Sequence, residues 1–510
     1  MKQYYLGIEF GSTRVKAVLI DGEHRIVKSG DYTWKSSLEN GVWTYHMEDV
    51  QTGLRTAIRN LGELPGAVSA MGISGMMHGY LAFDKDWNLL APFRTWQNPM
   101  PGEAAEQLTA EFGFNIPQRW SIAHLYQAIL NGEAHVKNIA HITTLAGYVH
   151  YLLTGENVLG VGEASGMFPI DSEALDYDAA MLEKFDALIA KYGFAWTARS
   201  VLPKVLTAGQ AAGALTQAGS TFLDGLLSAG IPFCPPEGDA GTGMTATNAV
   251  APRTGNVSAG TSIFAMVVLE KPLSKVYQEI DMVTTPSGKP VAMVHCNNCT
   301  NDMNAWVSLL GETAKLFGAE VSTGELFTKL YQKSLEGDAD CSGVLTYNYM
   351  AGEGITHLDE GRPMVVRKPE SSFTLANFLR SQLYATMSTL KLGMDILAEE
   401  HVAIDSLTGH GGLFKTPVVG QKYMAAACRA SVTCMESAGE GGPYGMALLA
   451  SYLVQKQDGQ TLEQYLETEI FADVKRATLA PDPEDEAGFD RYLSWYRSAL
   501  AAENAAVKAF

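Results

Sequence analysis

Two stretches about half a chain apart are built to one plan. Tyr4 to Phe10 is largely apolar, Gly11-Ser12-Thr13 makes a tight turn, and Val15 to Ile20 is apolar again before a second turn at Asp21-Gly22. Gly255 to Ala259 likewise runs into Gly260-Thr261-Ser262 and then into the apolar run Ile263 to Leu269. Each reads as a strand, a glycine-hydroxyl turn and a second strand. One such hairpin near the start of each half makes a weak internal duplication.

The 510 residues require a division of this kind, because a single hydrophobic core stops growing at roughly 250–300 residues. Strand-like runs (Ala70 to Ile73, Tyr80 to Phe83, Val291 to Val294) alternate with helix-like ones (Ala104 to Phe112, Ala123 to Asn131, Leu145 to Leu153, Asn304 to Phe317, Leu375 to Glu400). This is the rhythm of an α/β protein in both halves. Gly409-His410-Gly411-Gly412 interrupts the helical spacing, which resumes over Val418 to Cys428 and Tyr444 to Val454. The Ala-rich tail, Phe489 to Phe510, reads as a helix laid on the outside. The boundary falls near Pro252, after a Gly/Ala/Thr-rich stretch, giving domains at 1–252 and 253–510.

Hydrophobic residues make up 46% of the chain and charged ones 18%, enough apolar material for two cores and incompatible with disorder. The net charge of −19 repels phosphate backbones and anionic lipid, which argues against nucleic-acid and membrane-surface partners. Six cysteines (Cys234, Cys296, Cys299, Cys341, Cys428, Cys434) are too sparse for a disulfide scaffold and read as reduced thiols of a cytoplasmic protein. MKQYYLGIEFGS lacks the apolar core and cleavage site of a signal peptide, and no run of about eighteen apolar residues follows. A homodimer is compatible with the sequence, which contains nothing that demands one.

Gly11-Ser12-Thr13 can bring backbone N–H groups and hydroxyls onto a phosphate oxygen, as can Gly260-Thr261-Ser262. Either alone is more often a plain hairpin turn; two copies, one per domain, favour a clamp on a nucleotide's phosphates. Gly409 to Thr416 nearly spells a P-loop, but Phe414 stands where glycine must precede Lys-Thr. The glycines there read instead as a strand-to-helix turn that either does nothing more or lets a flat ligand such as adenine approach the backbone. Glu237-Gly238-Asp239-Ala240-Gly241-Thr242-Gly243 places two acids in a Gly-rich turn, where a carboxylate can accept a hydroxyl proton in phosphoryl transfer or serve conformation alone. His78, in Met76-Met77-His78-Gly79, sits at a strand end, although a lone histidine is usually structural. Cys296-Asn297-Asn298-Cys299 has no second CxxC and no histidine pair at zinc spacing, so it reads as structural.

Taken in order, these segments resemble the FGGY family of carbohydrate kinases over nearly the whole chain. Gly7 to Thr13 is similar to the family's first phosphate motif, Gly72 to Gly79 to its substrate motif, and Thr95-Trp96-Gln97-Asn98 to the tryptophan segment lining the sugar pocket. Tyr151 to Glu156 with Glu163-Ala164-Ser165-Gly166 resembles its Leu-Thr-Gly and Ala-Ser-Gly segment, and Glu237-Gly238-Asp239 its Gly-Asp catalytic segment. Gly260-Thr261-Ser262 resembles the second phosphate motif, Tyr349 to Glu353 the segment before the adenosine motif, Gly409 to Gly412 that motif, and Gly439 to Gly445 the closing Gly-rich turn. Departures are Glu9 for the usual Asp, Asn98 for an acid, Met100 for Arg, and Gly354 for the Arg of Gly-Glu-Arg.

The resemblance implies two actin-like (ribonuclease-H-like) domains with a nucleotide and sugar cleft between them. It implies Asp239 as catalytic base, Met77, His78, Trp96, Asn98 and Asp239 against the sugar, and Mg2+ held through water by Glu9 and Asp239. ATP would lie on Gly11, Ser12, Thr13, Gly260, Thr261, Ser262, Gly411 and Gly412. The expected reaction is phosphorylation of a sugar's primary hydroxyl. The Met77-His78 pair and the spellings Gly-His-Gly-Gly-Leu-Phe-Lys-Thr and Glu-Gly-Gly-Pro-Tyr-Gly favour L-ribulose, giving the 5-phosphate, over D-xylulose or another sugar or polyol. A sugar-binding regulator without catalysis and an actin-like ATPase acting on proteins are the rival readings.

Overall fold

Tyr4–Phe10 (β1) and Arg14–Asp21 (β2) pair antiparallel across the Gly11-Ser12-Thr13 turn in the computed structural model, which describes residues 2–435 and 441–509. Ile26–Thr33 (β3) continues the sheet on the far side of β2. On the other side of β1 lie two parallel strands, Val68–Gly75 (β4) and the two-residue Glu237–Gly238 (β5), so the order is β5-β4-β1-β2-β3. Six of the seven residues of β1 are buried, as expected of a strand covered on both faces. Leu6, Ile8 and Phe10 join a core with Leu54, Ala57 and Ile58 of the helix Met47–Arg59. Gly7 points the other way, onto the helix Gly441–Gln455; a β-carbon there would lie 2.0 Å from Pro443 O and 2.5 Å from Ala447 N. Glycine lets that helix rest directly on the strand.

The second hairpin repeats the pattern. Thr254–Ala259 (β6) pairs antiparallel with Ile263–Val268 (β7) and parallel with Ser406–His410 (β8), which pairs parallel with Ser431–Met435 (β9). Arg476–Leu479 (β10) closes this run antiparallel to β9. The order β7-β6-β8-β9 therefore has the same strand senses as β2-β1-β4-β5, and the duplication extends beyond the hairpins to the two parallel strands that follow each. The helix Leu375–Glu399, begun by the Thr374 side chain accepting from Asn377 N, is buried around most of its circumference. The tail is not simply laid on the outside: its helix runs Pro483–Ala509, and Phe489, Tyr492 and Tyr496 are fully buried, Tyr492 and Tyr496 meeting Tyr347, Tyr349 and Tyr384 in tilted and edge-on ring contacts.

The chain divides into two units, Met1–Pro252 with Glu270–Val291 and Glu440–Asp473, and Arg253–Leu269 with Ala292–Gly439 and Val474–Phe510. A single boundary at 252 does not provide for the two segments that return to the first unit. One of them, Glu440–Asp473, supplies the helix that packs on β1 and β4. All six cysteines are free, Cys296 and Cys299 among the buried ones. Among the described residues no helix is long and apolar enough to cross a membrane.

Candidate active site

The parallel strands of the first unit end together. Glu9 lies opposite Ser74 and Ser74 opposite Glu237, with Phe10, Gly75 and Gly238 one step further on. Asp239 follows at once, where β5 becomes the helix Asp239–Ala246. The Gly-rich run at 238–243 is thus a strand end and a helix, not the turn its composition suggests. Glycine's poor helix propensity is overridden by packing: a β-carbon at Gly445 would lie 1.9 Å from Thr242 O, so the helix Gly441–Gln455 presses closely on this one. The same helix takes up Gly441 to Gly445, expected as a turn; Gly439 and Glu440 lie outside the described residues.

Asp239 is exposed, and its Oδ1 accepts from Met77 N at 3.1 Å and Ala240 N at 3.0 Å. The surrounding protein pushes its carboxyl above the usual range, against the pull of those two N–H groups. Glu9 is pushed up to about 8 by desolvation and then by the charge of Asp239, with Lys16 acting the other way. Its carboxylate fills the space over Gly442, where a β-carbon would lie 1.4 Å from Oε2. Behind these stand two fully buried acids. Glu237, also pushed to about 8 by burial, accepts from Glu163 N at 2.9 Å and Gly162 N at 3.4 Å. Glu163, beside the Thr144 hydroxyl, is held well above the usual carboxylate range by burial. The sequence singled out Glu237 only as a neighbour of Asp239, and nothing in its spacing discloses the interaction with residues 162 and 163.

His78 has φ 72° and Gly79 φ 92°, two consecutive left-handed residues three and four positions past the end of β4. Such backbone is costly outside glycine and collects at ligand sites. His78 Nδ1 lies 3.0 Å from Gly166 O, so Nδ1 carries the proton of the neutral ring and Nε2 is an acceptor. The ring stacks on Trp120 with centroids 6.2 Å apart. Met77 is buried, and Trp96 is 39% exposed. Asn98 is otherwise than expected: it is 2% exposed, and its amide donates to Trp43 O at 2.8 Å and Thr95 O at 3.0 Å while accepting from Trp43 N at 2.8 Å. Both amide hydrogens are spent inside the protein, which leaves neither to donate to a sugar hydroxyl.

The two glycine-hydroxyl turns share an arrangement. Gly11 N donates to Arg14 O and Gly260 N to Ser262 O, so the first N–H of each turn closes its own hairpin instead of serving a phosphate. The carbonyls are tied back. Gly11 O accepts from Trp34 Nε1 at 2.7 Å, Ser12 O from Tyr45 Oη at 2.7 Å and Thr13 O from Trp34 N at 3.1 Å. In the second unit, Gly260 O accepts from Thr300 Oγ1 at 2.7 Å and Thr300 N at 3.1 Å, and Thr261 O from Cys299 N at 3.0 Å. Carbonyl oxygens are the groups that would repel a phosphate, and each of these is occupied. Trp34, Tyr45 and Thr300 lie too far along the chain for any motif to point to them. Of the glycines after β8, Gly411 (φ 98°) packs on Ala259, where a β-carbon would lie 2.4 Å from its oxygen, and Gly409 packs under Phe414. Gly412 has open space on its β-carbon side, with only Ala259 O at 4.0 Å.

Comparison with known proteins covers both units. Residues 4–245 match the N-terminal domain, and residues 255–454 the C-terminal domain, of the FGGY family of carbohydrate kinases. The xylulose kinase of Haemophilus influenzae is 22% identical over 513 residues, spanning 96% of this chain and 99% of that protein. Among solved structures, a gluconate kinase and a ligand-bound xylulose kinase, both from Lactobacillus acidophilus, superpose with TM-scores of 0.81 each at 16% identity. They cover 99% and 98% of this chain, respectively, and 99% of their own lengths. At that identity the structures speak for the fold, which is the actin-like, two-domain α/β fold. The chain belongs to the FGGY family of carbohydrate kinases, phosphotransferases that use ATP and act on an alcohol group.

Proposed function

We propose that this kinase transfers the γ-phosphoryl group of ATP to a primary hydroxyl of a ketopentose, with Asp239 accepting the hydroxyl proton. The observation that carries the reading is the placement of Asp239: exposed at a strand end, fixed by two N–H donors that both fall on Oδ1, and with a raised proton affinity. A base of that kind is nearer the working pH than an ordinary aspartate. Met77, His78 and Trp96 line the sugar, His78 Nε2 accepting a sugar hydroxyl. The N–H groups and hydroxyls of Ser12 and Thr13, and those of Thr261 and Ser262 beside Gly260, bind phosphates, and the Gly411-Gly412 segment approaches adenosine at Gly412, where the β-carbon side is open.

Glu9 and Asp239 suit Mg2+ held through water. Among the described residues no three His, Cys, Asp or Glu side chains are placed to ligate a metal directly; burial lifts Glu9 most, and the Asp239 charge that adds to it is what a divalent cation relieves. Bound there, the cation would supply charge neutralisation for the β- and γ-phosphates. The motif spellings lean toward L-ribulose; the full-length relative named a xylulose kinase leans toward D-xylulose, which we place first. The six free cysteines are in keeping with a reducing, cytoplasmic setting, which we include in the proposal.

A coupled ADP-release assay with Mg-ATP against pentuloses, hexuloses, polyols and gluconate tests this. Turnover on one ketopentose with formation of its phosphate supports the reading. Turnover confined to gluconate or a polyol refutes the ketopentose, and sugar-independent hydrolysis refutes the sugar.

A further inference from the structure

We infer that Glu237 is a positioning residue for sugar binding: it seats the segment 160–166, which holds His78 in place. The inference rests on the sugar pocket proposed above.

The Glu237 carboxylate occupies a cradle that only glycines can form. A β-carbon at Gly160 would lie 2.1 Å from Oε1 and one at Gly162 2.4 Å from Oε2. In that cradle the two oxygens take the N–H groups of Gly162 and Glu163, at the start of the short helix Val161–Ala164. Gly160 N also donates to Pro236 O at 2.8 Å, so the strand carrying Glu237 grips the segment twice.

The segment's other end meets the sugar-lining residues. Gly166 O takes the Nδ1 proton of His78, and a β-carbon at Gly166 would lie 2.7 Å from both His78 Nδ1 and Met77 Cε. Between the two ends, Ser165 Oγ donates to Gly162 O at 2.6 Å and accepts from Thr284 N at 3.0 Å, while Thr284 Oγ1 donates to Val161 O at 3.0 Å. The segment is therefore braced, and a displacement at its Glu237 end passes to the His78 end. Glu237 precedes Asp239 by two residues on one strand end. The Glu237 anchor thus fixes the back wall of the sugar pocket, while the Asp239 carboxylate is held separately by Met77 N and Ala240 N, and charge alone does not explain why two glycines make room for Glu237.

Steady-state kinetics of the full chain test this. Glu237→Ala is expected to raise the sugar KM about tenfold while kcat and the KM for ATP change by less than about twofold. Glu237→Gln, which keeps an acceptor oxygen, should restore most of the sugar KM. Gly162→Ala, which drives a methyl into the carboxylate, should raise the sugar KM as well, and should do so less in the Glu237→Ala background. If the acid is merely structural, the variants lose active protein, so apparent kcat falls while the sugar KM stays unchanged; that outcome overturns the inference. Should Glu237→Ala not fold, Glu237→Gln and Gly162→Ala carry the same test. His78→Ala separates the two claims. If it leaves the sugar KM unchanged, the proposed pocket fails. If it raises the KM and Glu237→Ala does not, this inference alone fails.

Discussion

At the scale of single residues, two side chains that depart from the family's usual residue, Glu9 and Asn98, behave very differently. Glu9 keeps the charge of the aspartate it replaces and fills the space above Gly442. Its removal is expected to shift the metal requirement: Glu9→Ala should need a several-fold higher Mg2+ concentration for half-maximal rate, and an unchanged Mg2+ titration would remove it from the metal site. Asp239→Asn should lower turnover by about 10²–10⁴-fold, the usual contribution of a general base, with ATP binding retained in a fluorescence titration; near wild-type turnover would refute the base. Asn98, by contrast, was expected at the sugar and is spent on Trp43 and Thr95. Its amide offers a donor to the C=O and an acceptor to the N–H of one residue, Trp43, which a carboxylate cannot do. Asn98→Asp should therefore destabilise the protein by about 1–3 kcal/mol, read as a lower denaturant midpoint. The sequence marks Asn98 only as part of the tryptophan segment; its partner Trp43 lies 55 residues away, and no local pattern reports such a bond.

At the scale of elements, the hairpins were legible because alternation, a glycine and two hydroxyls are local signals. The helix Asp239–Ala246 was not, since its glycines are tolerated for the sake of a helix two hundred positions further on, packed at Gly445. The tied-back carbonyls belong here too. Each turn is held from behind by a neighbouring segment, which turns its negative ends away from where phosphate is proposed. Trp34→Phe removes the donor to Gly11 O and leaves that oxygen unpaired. It should raise the KM for ATP about fivefold, from roughly 1 kcal/mol of lost hydrogen bonding, with the sugar KM little changed; equal effects on both substrates would point to general loosening instead.

At the scale of the whole molecule, the α/β class and the internal duplication were readable, whereas the return of 270–291 and 440–473 to the first unit was not, because composition marks a boundary only where the chain crosses it. Stability carries a pH signature from a buried acid of the second unit. Glu353, 1% exposed, accepts from Asn297 N, Asn298 N and Asn298 Nδ2, yet burial lifts it to about 7 from 4.5. The folded chain therefore keeps this proton to a higher pH than the unfolded chain. The resulting stabilisation is complete below about pH 4.5 and is lost as pH rises through about 7, on the order of 3 kcal/mol. Glu353→Gln should flatten that part of the Tm profile, so the variant gains on the wild type between pH 5 and 8; parallel profiles would refute it.

The helix Gly441–Gln455 has a further consequence for how the protein is made. It covers a face of β1 but follows that strand by more than four hundred residues, and so is translated long after it. Until then the strip around Gly7 and Gly72 stays bare, so the unit that begins first is finished late, and this early sheet is the surface a nascent chain must keep from aggregating or hand to a chaperone.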